Sequence, residues 1–158
     1  MTVAVGDPLP DFELPSDGGG RMSKADFAGK PFVLYLYPKD DTSGCTKEAN
    51  AFKALMGEFE ALGVPVVGLS KDPVASHDKF KAKYELNFPL LSDEDGGFVE
   101  ALGAWVEKAM YGKKYMGVDR STFLVGPDGT IREIWRKVKV PGHAEAVLEA
   151  AKALAEPA

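Results

Sequence analysis

The chain has 158 residues, a net charge of -5, 45% apolar residues and 27% charged residues. That length suits one domain, 1–158, with a real core, and that balance suits an ordinary soluble globular protein. No basic block fits nucleic acid and no apolar run approaches the ~20 residues of a membrane span. The single cysteine excludes an internal disulfide, a Cys-x-x-Cys pair and a Cys-rich zinc site.

Met1-Thr2-Val3-Ala4 has neither the basic nor the apolar region of an export signal, so a reducing cytoplasm is expected. Residues 1–30 read as an arm. Asp11-Phe12-Glu13-Leu14 alternates like a short strand, Ser16-Asp17-Gly18-Gly19-Gly20 turns, and Arg21-Met22-Ser23 returns as the second strand of a hairpin. Asp26–Lys30 connects to an apolar run, 32–37, that reads as a buried strand. Ala49, Phe52, Leu55, Met56, Phe59 and Leu62 then recur at helical spacing, which predicts a helix over 45–62 stopped by Gly63. Pro65–Ser70 reads as another buried strand. Asp72 as N-cap with Pro73 at the first helical position opens a helix carrying Val74, His77, Phe80 and Tyr84 on one face.

Pro89–Ser92 reads as a short strand, and Asp93–Leu102 as a short helix with Phe98, Val99 and Leu102 inward. Residues 103–118 show no clear period and read as a long loop, uncommon enough to suggest function; Trp105, Met110, Tyr111, Tyr115 and Met116 in it either border a ligand pocket or simply pack, with packing slightly favoured. Residues 121–125 and 130–135 form a β-hairpin about Gly126-Pro127-Asp128-Gly129. Ala144, Val147, Leu148, Ala151 and Leu154 mark a last helix. Alternating strands and helices followed by a hairpin predict an α/β fold: a thioredoxin-like mixed central sheet, helices on both faces, and an N-terminal β-hairpin.

Cys45 falls at a strand-to-helix turn, at the carboxyl end of a strand, where open sheets of this kind bind ligands. Free backbone N–H groups and the positive end of the helix dipole favour a thiolate there. A lone cysteine is more often a small buried hydrophobe. Here polar, flexible Thr42-Ser43-Gly44 precedes it, Gly44 lets the backbone approach a small ligand, and Thr42 can aim a hydroxyl at whatever Cys45 attacks. These features point to a reactive thiol.

Pro38-x-x-x-Thr42-x-x-Cys45 resembles the active-site motif of the peroxiredoxins, the thiol peroxidases built on a thioredoxin fold. The longer string Tyr37–Ala49, with Asp119–Val125 and Trp135–His143, is similar to their bacterioferritin-comigratory (PrxQ) branch. The resemblance implies that Cys45 is the peroxidatic cysteine, attacking hydrogen peroxide or an alkyl hydroperoxide and becoming a sulfenic acid. It implies that Thr42 hydrogen-bonds the peroxide, Arg120 stabilises the thiolate and polarises the O–O bond, Pro38 closes the pocket, and Glu48 orients Arg120. An ordinary thiol of pKa ~8.5 is a few per cent ionised at neutral pH, so full ionisation gains only about 30-fold. Hydrogen-bond donors aimed at the oxygen that gains charge, worth roughly 2.7–4 kcal/mol each, must supply the rest.

Many PrxQ-type proteins carry a second cysteine five residues after the first; here that position is Asn50. The resemblance thus implies a one-cysteine peroxidase recycled by an external thiol: thioredoxin, glutaredoxin with glutathione, or a small thiol. It implies no cofactor, no metal, no nucleic-acid or membrane partner, and a monomer or weak homodimer. His77 reads as packed or surface-exposed, and His143 as a cap-region residue. Two rivals stand beside this reading. A thiol–disulfide oxidoreductase would need a cysteine where Thr42 stands, and a thioredoxin-like binding or chaperone module would carry an inert cysteine.

Overall fold

The computed structural model describes residues 3–155; of the opening Met1-Thr2-Val3-Ala4, the first two lie outside it. β1 (Glu13–Pro15) and β2 (Arg21–Ser23) pair antiparallel as the N-terminal hairpin. The Asp17 carboxylate anchors the turn between them, accepting the Leu90 N–H and the Lys81 ammonium at 2.8 Å each. β3 (Phe32–Leu36) is buried along its whole length. α1 (Ser43–Ala61) begins two residues earlier than the apolar period indicated, so Cys45 is its third residue. Gly63, at φ 71, ends it in the left-handed region, and the Val64 N–H turns back to the Phe59 carbonyl at 3.0 Å. β4 (Val66–Ser70), α2 (Val74–Tyr84), β5 (Leu90–Ser92) and α3 (Gly97–Ala101) follow. Then come β6 (Trp105–Met110), β7 (Lys113–Val118), β8 (Ser121–Val125), β9 (Ile131–Trp135) and α4 (His143–Ala155).

Two expectations are corrected. Residues 103–118 are not a loop: β6 and β7 form an antiparallel ribbon with Trp105 opposite Val118 and Met110 opposite Lys113. Tyr111 (φ 53) and Gly112 (φ 77) make its two-residue turn, the both-positive geometry that matches strand twist. The ribbon stands largely in solvent, so neither strand shows the alternation that burying one face imposes. Asp72 does not cap α2. Pro73 takes the cap position, while the Asp72 carboxylate accepts the Asp40 N–H at 2.9 Å and the Ser70 hydroxyl at 2.6 Å.

The central sheet runs β5-β4-β3-β8-β9. β3–β4 and β4–β5 are parallel, joined through α1 and α2; β3–β8 and β8–β9 are antiparallel. Alternation along β3 splits the core. Val33 and Tyr35 pack with Phe52 and Phe59 of α1 and with Val147, Leu148 and Ala151 of α4. Phe32, Leu34 and Leu36 pack on the other side with Phe98 and Val99 of α3 and with Leu9, Phe12 and Phe27 of the arm. Phe52, fully buried and stacked on Tyr35 at 4.7 Å, fixes α1 to the sheet; truncating such a ring costs about 3–5 kcal/mol. This is the mixed sheet, helix-covered on both faces and preceded by a hairpin, that the thioredoxin-like layout predicts. Among the described residues, no helix is long and apolar enough to cross a membrane.

Candidate active site

The carboxyl end of β3 leads through residues 38–42 into α1. Thr42 is the N-cap in extended conformation, and its hydroxyl does not bond the helix; it donates to the Lys39 carbonyl at 2.9 Å. The first i to i+4 bond of α1 runs from the Thr46 N–H to the Thr42 carbonyl, so the Cys45 N–H lies ahead of that ladder. Cys45 itself is 1% exposed and belongs to the core cluster between sheet, α1 and α4.

Antiparallel pairing completes the site. Leu36, at the end of β3, stands opposite Ser121, at the start of β8, so the residue before Ser121 arrives beside the start of α1. That residue is Arg120. Its Nη2 donates to Cys45 Sγ at 3.4 Å and its Nη1 to Glu48 Oε1 at 2.7 Å. Glu48 follows Cys45 by three residues, which places both on one helix face. A side chain at Gly44 would meet the guanidinium, since a Cβ there lies 3.1 Å from Arg120 Nη2; the glycine makes room for the arginine.

Burial sets the electrostatics. Glu48 is 1% exposed, and burial pushes its carboxyl up to about 7 although Arg120's charge and hydrogen bond pull it down. Its Oε2 and the Tyr35 hydroxyl have no hydrogen-bond partner among the described residues. His143, at the start of α4, shares a 2.8 Å hydrogen bond with Thr122 of β8 and packs edge-on against Phe52 and Trp135. Burial, then Arg120's positive charge, lowers it to about 4, so it is neutral at ordinary pH.

Cys45, Arg120 and Glu48 are thus joined directly, with Gly44 against them. Half-buried Pro38 borders a groove of about 400 Å³ lined also by Trp105, Lys108, Tyr115 and Met116 of the β6–β7 ribbon, while Cys45, Thr42 and Arg120 do not line it. Thr42 is exposed and bonded to Lys39. Sequence reasoning missed that Lys108 lines this groove, since 103–118 looked like a loop; Gly112 was the one turn residue between the two strands. It also missed what His77 does. That residue is completely buried and paired with Asp40 at 2.7 Å. Among the described residues, no group of three or more His, Cys, Asp or Glu is arranged to hold a metal ion.

The comparisons bear on this geometry. The AhpC/TSA family profile matches residues 5–134. The chain belongs to the AhpC/TSA family of peroxiredoxins. Peroxiredoxin Bcp of Xanthomonas campestris is 48% identical over 99% of both chains. A solved structure of the X. campestris bacterioferritin comigratory protein, studied for its alkyl peroxide reduction activity, is 45% identical. It superposes with a TM-score of 0.90 over 97% of this chain and 100% of its own. A Xylella fastidiosa PrxQ structure, 42% identical over 99% of both chains, gives 0.93. This peroxiredoxin has the thioredoxin-like fold of these relatives and is a thiol-dependent peroxidase.

Proposed function

We propose that Cys45 is the peroxidatic cysteine and that it reduces hydrogen peroxide and organic hydroperoxides. The Cys45 sulfur, as thiolate, attacks one peroxide oxygen along the O–O axis; the S–O bond forms as the O–O bond breaks. Sulfur is oxidised to sulfenic acid, and the departing oxygen takes a proton to leave as water or an alcohol. The observation that carries this reading is the Arg120 fork. One arm reaches the sulfur at 3.4 Å and the other is held by Glu48 at 2.7 Å, so a fixed positive charge faces the place where the leaving oxygen gains its charge.

Thr42 fits a complementary role. Its hydroxyl proton is committed to the Lys39 carbonyl, which leaves lone pairs to accept from the peroxide O–H. Arg120 and the Cys45 N–H are then the donors, and Thr42 orients rather than donates. Pro38, at the start of the same turn, closes the pocket over the sulfur in this reading, and Gly44 leaves room for the guanidinium.

With one cysteine in 158 residues, recycling requires an external thiol. A first thiol displaces water from the sulfenic acid to give a mixed disulfide. A second releases Cys45 as a thiol, leaving the reductant oxidised to its disulfide. Thioredoxin, glutaredoxin with glutathione, and small thiols all meet that chemistry, in the reducing cytoplasm that suits it. Residues 1–158 act in this reading as one domain, as the two core clusters on either side of one sheet support.

The test is stopped-flow mixing of the reduced protein with one equivalent of hydrogen peroxide, following Trp fluorescence, with a sulfenic-acid trap before mass analysis. A reaction orders of magnitude faster than free cysteine, ending in one label on Cys45, is expected. A rate like that of free cysteine would return the chain to the inert-cysteine reading.

A further inference from the structure

The turn that carries Thr42 and leads to Cys45 is fastened to α2 by a buried ionic couple. His77 is 0% exposed. Its Nε2 lies 2.8 Å from the Leu91 carbonyl, which can only accept, so Nε2 carries a hydrogen. Its Nδ1 lies 2.7 Å from Asp40 Oδ2. Two lone pairs cannot face each other at that distance, so a second proton lies between Nδ1 and Oδ2. The rest of the Asp40 carboxylate is surrounded by donors: Ser76 reaches Oδ2 at 2.8 Å and Tyr37 reaches Oδ1 at 2.5 Å. Asp40 thus acts as acceptor toward every neighbour, and the shared proton sits on Nδ1, which makes His77 an imidazolium.

The groups facing this couple come from every neighbouring element. Tyr37, just after β3, approaches His77 Nδ1 to 3.4 Å, and Asp72, before α2, adds negative charge. Burial opposes the imidazolium, but the Asp40 hydrogen bond and charge, the Leu91 carbonyl and Asp72 outweigh it and hold its pKa above the ordinary value. Asp40 lies two residues before Thr42. Its own N–H is bound by Asp72 at 2.9 Å. Asp41, next along, sits at φ 57 and is held outside by Lys83 and Tyr84 of α2 at 2.8 and 2.7 Å. A non-glycine residue adopts that left-handed conformation where its surroundings impose it.

We propose that His77 is a positioning residue for the peroxide reaction: through the proton it shares with Asp40 it holds the 38–42 turn in the shape that seats Thr42 and Cys45. The proposal rests on the peroxidatic reading of Cys45. His77 touches neither sulfur nor substrate and acts through Asp40. Losing the shared proton leaves a lone pair against a carboxylate at 2.7 Å. The clamp is therefore intact below the folded-state titration of His77 and released as pH rises through it.

The test compares wild type, His77→Leu, Asp40→Asn and the double variant. In reduced protein without peroxide, amide hydrogen exchange is read over residues 38–46, and imidazole nitrogen spectra at about pH 7 show whether both ring nitrogens carry protons. Peroxide rate constants are then measured against pH. Exchange in 38–46 is expected to quicken in both single variants while β8 and α4 keep their protection. The rate constant should fall about 10- to 100-fold, the size of effect that misplacing a reacting group produces. The double variant should be no slower than the slower single variant. Wild type should show a falling limb on the alkaline side that both single variants lack. Unchanged exchange with near-wild-type rates, additive losses, or an unprotonated Nδ1 in wild type would each overturn the proposal. Asp40→Asn keeps the size and shape of the buried side chain, so it decides the matter if His77→Leu does not fold. A wild type that fails to oxidise at Cys45 refutes the peroxidatic reading instead. The exchange data, taken without peroxide, still decide whether the couple holds the turn.

Discussion

Arg120→Met strikes both arms of the fork at once. On the chemical side it removes the cation 3.4 Å from Cys45 Sγ. Losing one aimed donor at such a site costs about 10²–10³-fold in rate, or roughly 2.7–4 kcal/mol. On the structural side it strips Glu48, 1% exposed, of its only cationic partner among the described residues. Breaking a buried pair costs about 3–5 kcal/mol while the surviving charge stays ionised. Glu48 already titrates at about 7 with Arg120 pulling it down. Without Arg120 it rises further and takes up a proton at neutral pH, which relieves part of the cost. The variant's stability loss is therefore smallest well below about pH 7, where folded Glu48 is protonated in variant and wild type alike, and it grows as pH rises through about 7. Stopped-flow oxidation gives the rate, and urea unfolding at about pH 5 and about pH 8 gives the stability. Adding Glu48→Gln should restore much of the stability and none of the rate. A variant that oxidises at close to the wild-type rate would refute the role given to the fork. So would a stability loss equal at both pH values, which would mean that Glu48 does not carry the buried charge.

Glu48→Gln alone should be more stable than wild type at alkaline pH and similar to it in acid. The Glu48 contribution is present below 4.5 and lost as pH rises through about 7, a change of at most about 3 kcal/mol; denaturation at the two ends checks it. His143→Gln should show the opposite sign. The His143 contribution is present above 6.5 and lost as pH falls through about 4, again at most about 3 kcal/mol. The two wild-type slopes oppose each other between those values, so each variant should reveal, in acid denaturation curves, the slope the other residue had masked. Thr42→Val should slow peroxide reaction about 10-fold or more while leaving stability within about 0.5 kcal/mol, since the side chain is exposed. Thr42→Ser should recover the rate, and an unaffected Val variant would remove Thr42 from the site.

The buried strand at 32–36, the helix after Cys45, the turn at Gly63, the N-terminal hairpin and the hairpin at 121–135 are legible in the sequence, because each is written in local periodicity and turn chemistry. The position of Cys45 at a strand-to-helix turn is local in the same sense, as is the Cys45–Glu48 spacing that puts both on one helix face. Only the tertiary structure decided what meets them. Arg120 is 75 residues from Cys45 in sequence and reaches it because β8 pairs antiparallel with β3 in the register Leu36 opposite Ser121. No local pattern specifies that partner strand. The β6–β7 ribbon stayed hidden because its residues face solvent on both sides, so burial imposed no alternation on them. The His77–Asp40 couple stayed hidden for a related reason. A histidine on an apolar helix face shows only that something buries it, and the proton it shares with Asp40, 37 residues away in sequence, exists only where α2 meets the turn before α1. Local composition thus determined which segments fold and which residue carries the thiol. Non-local packing decided which charges surround that thiol, because electrostatics acts through space and not along the chain.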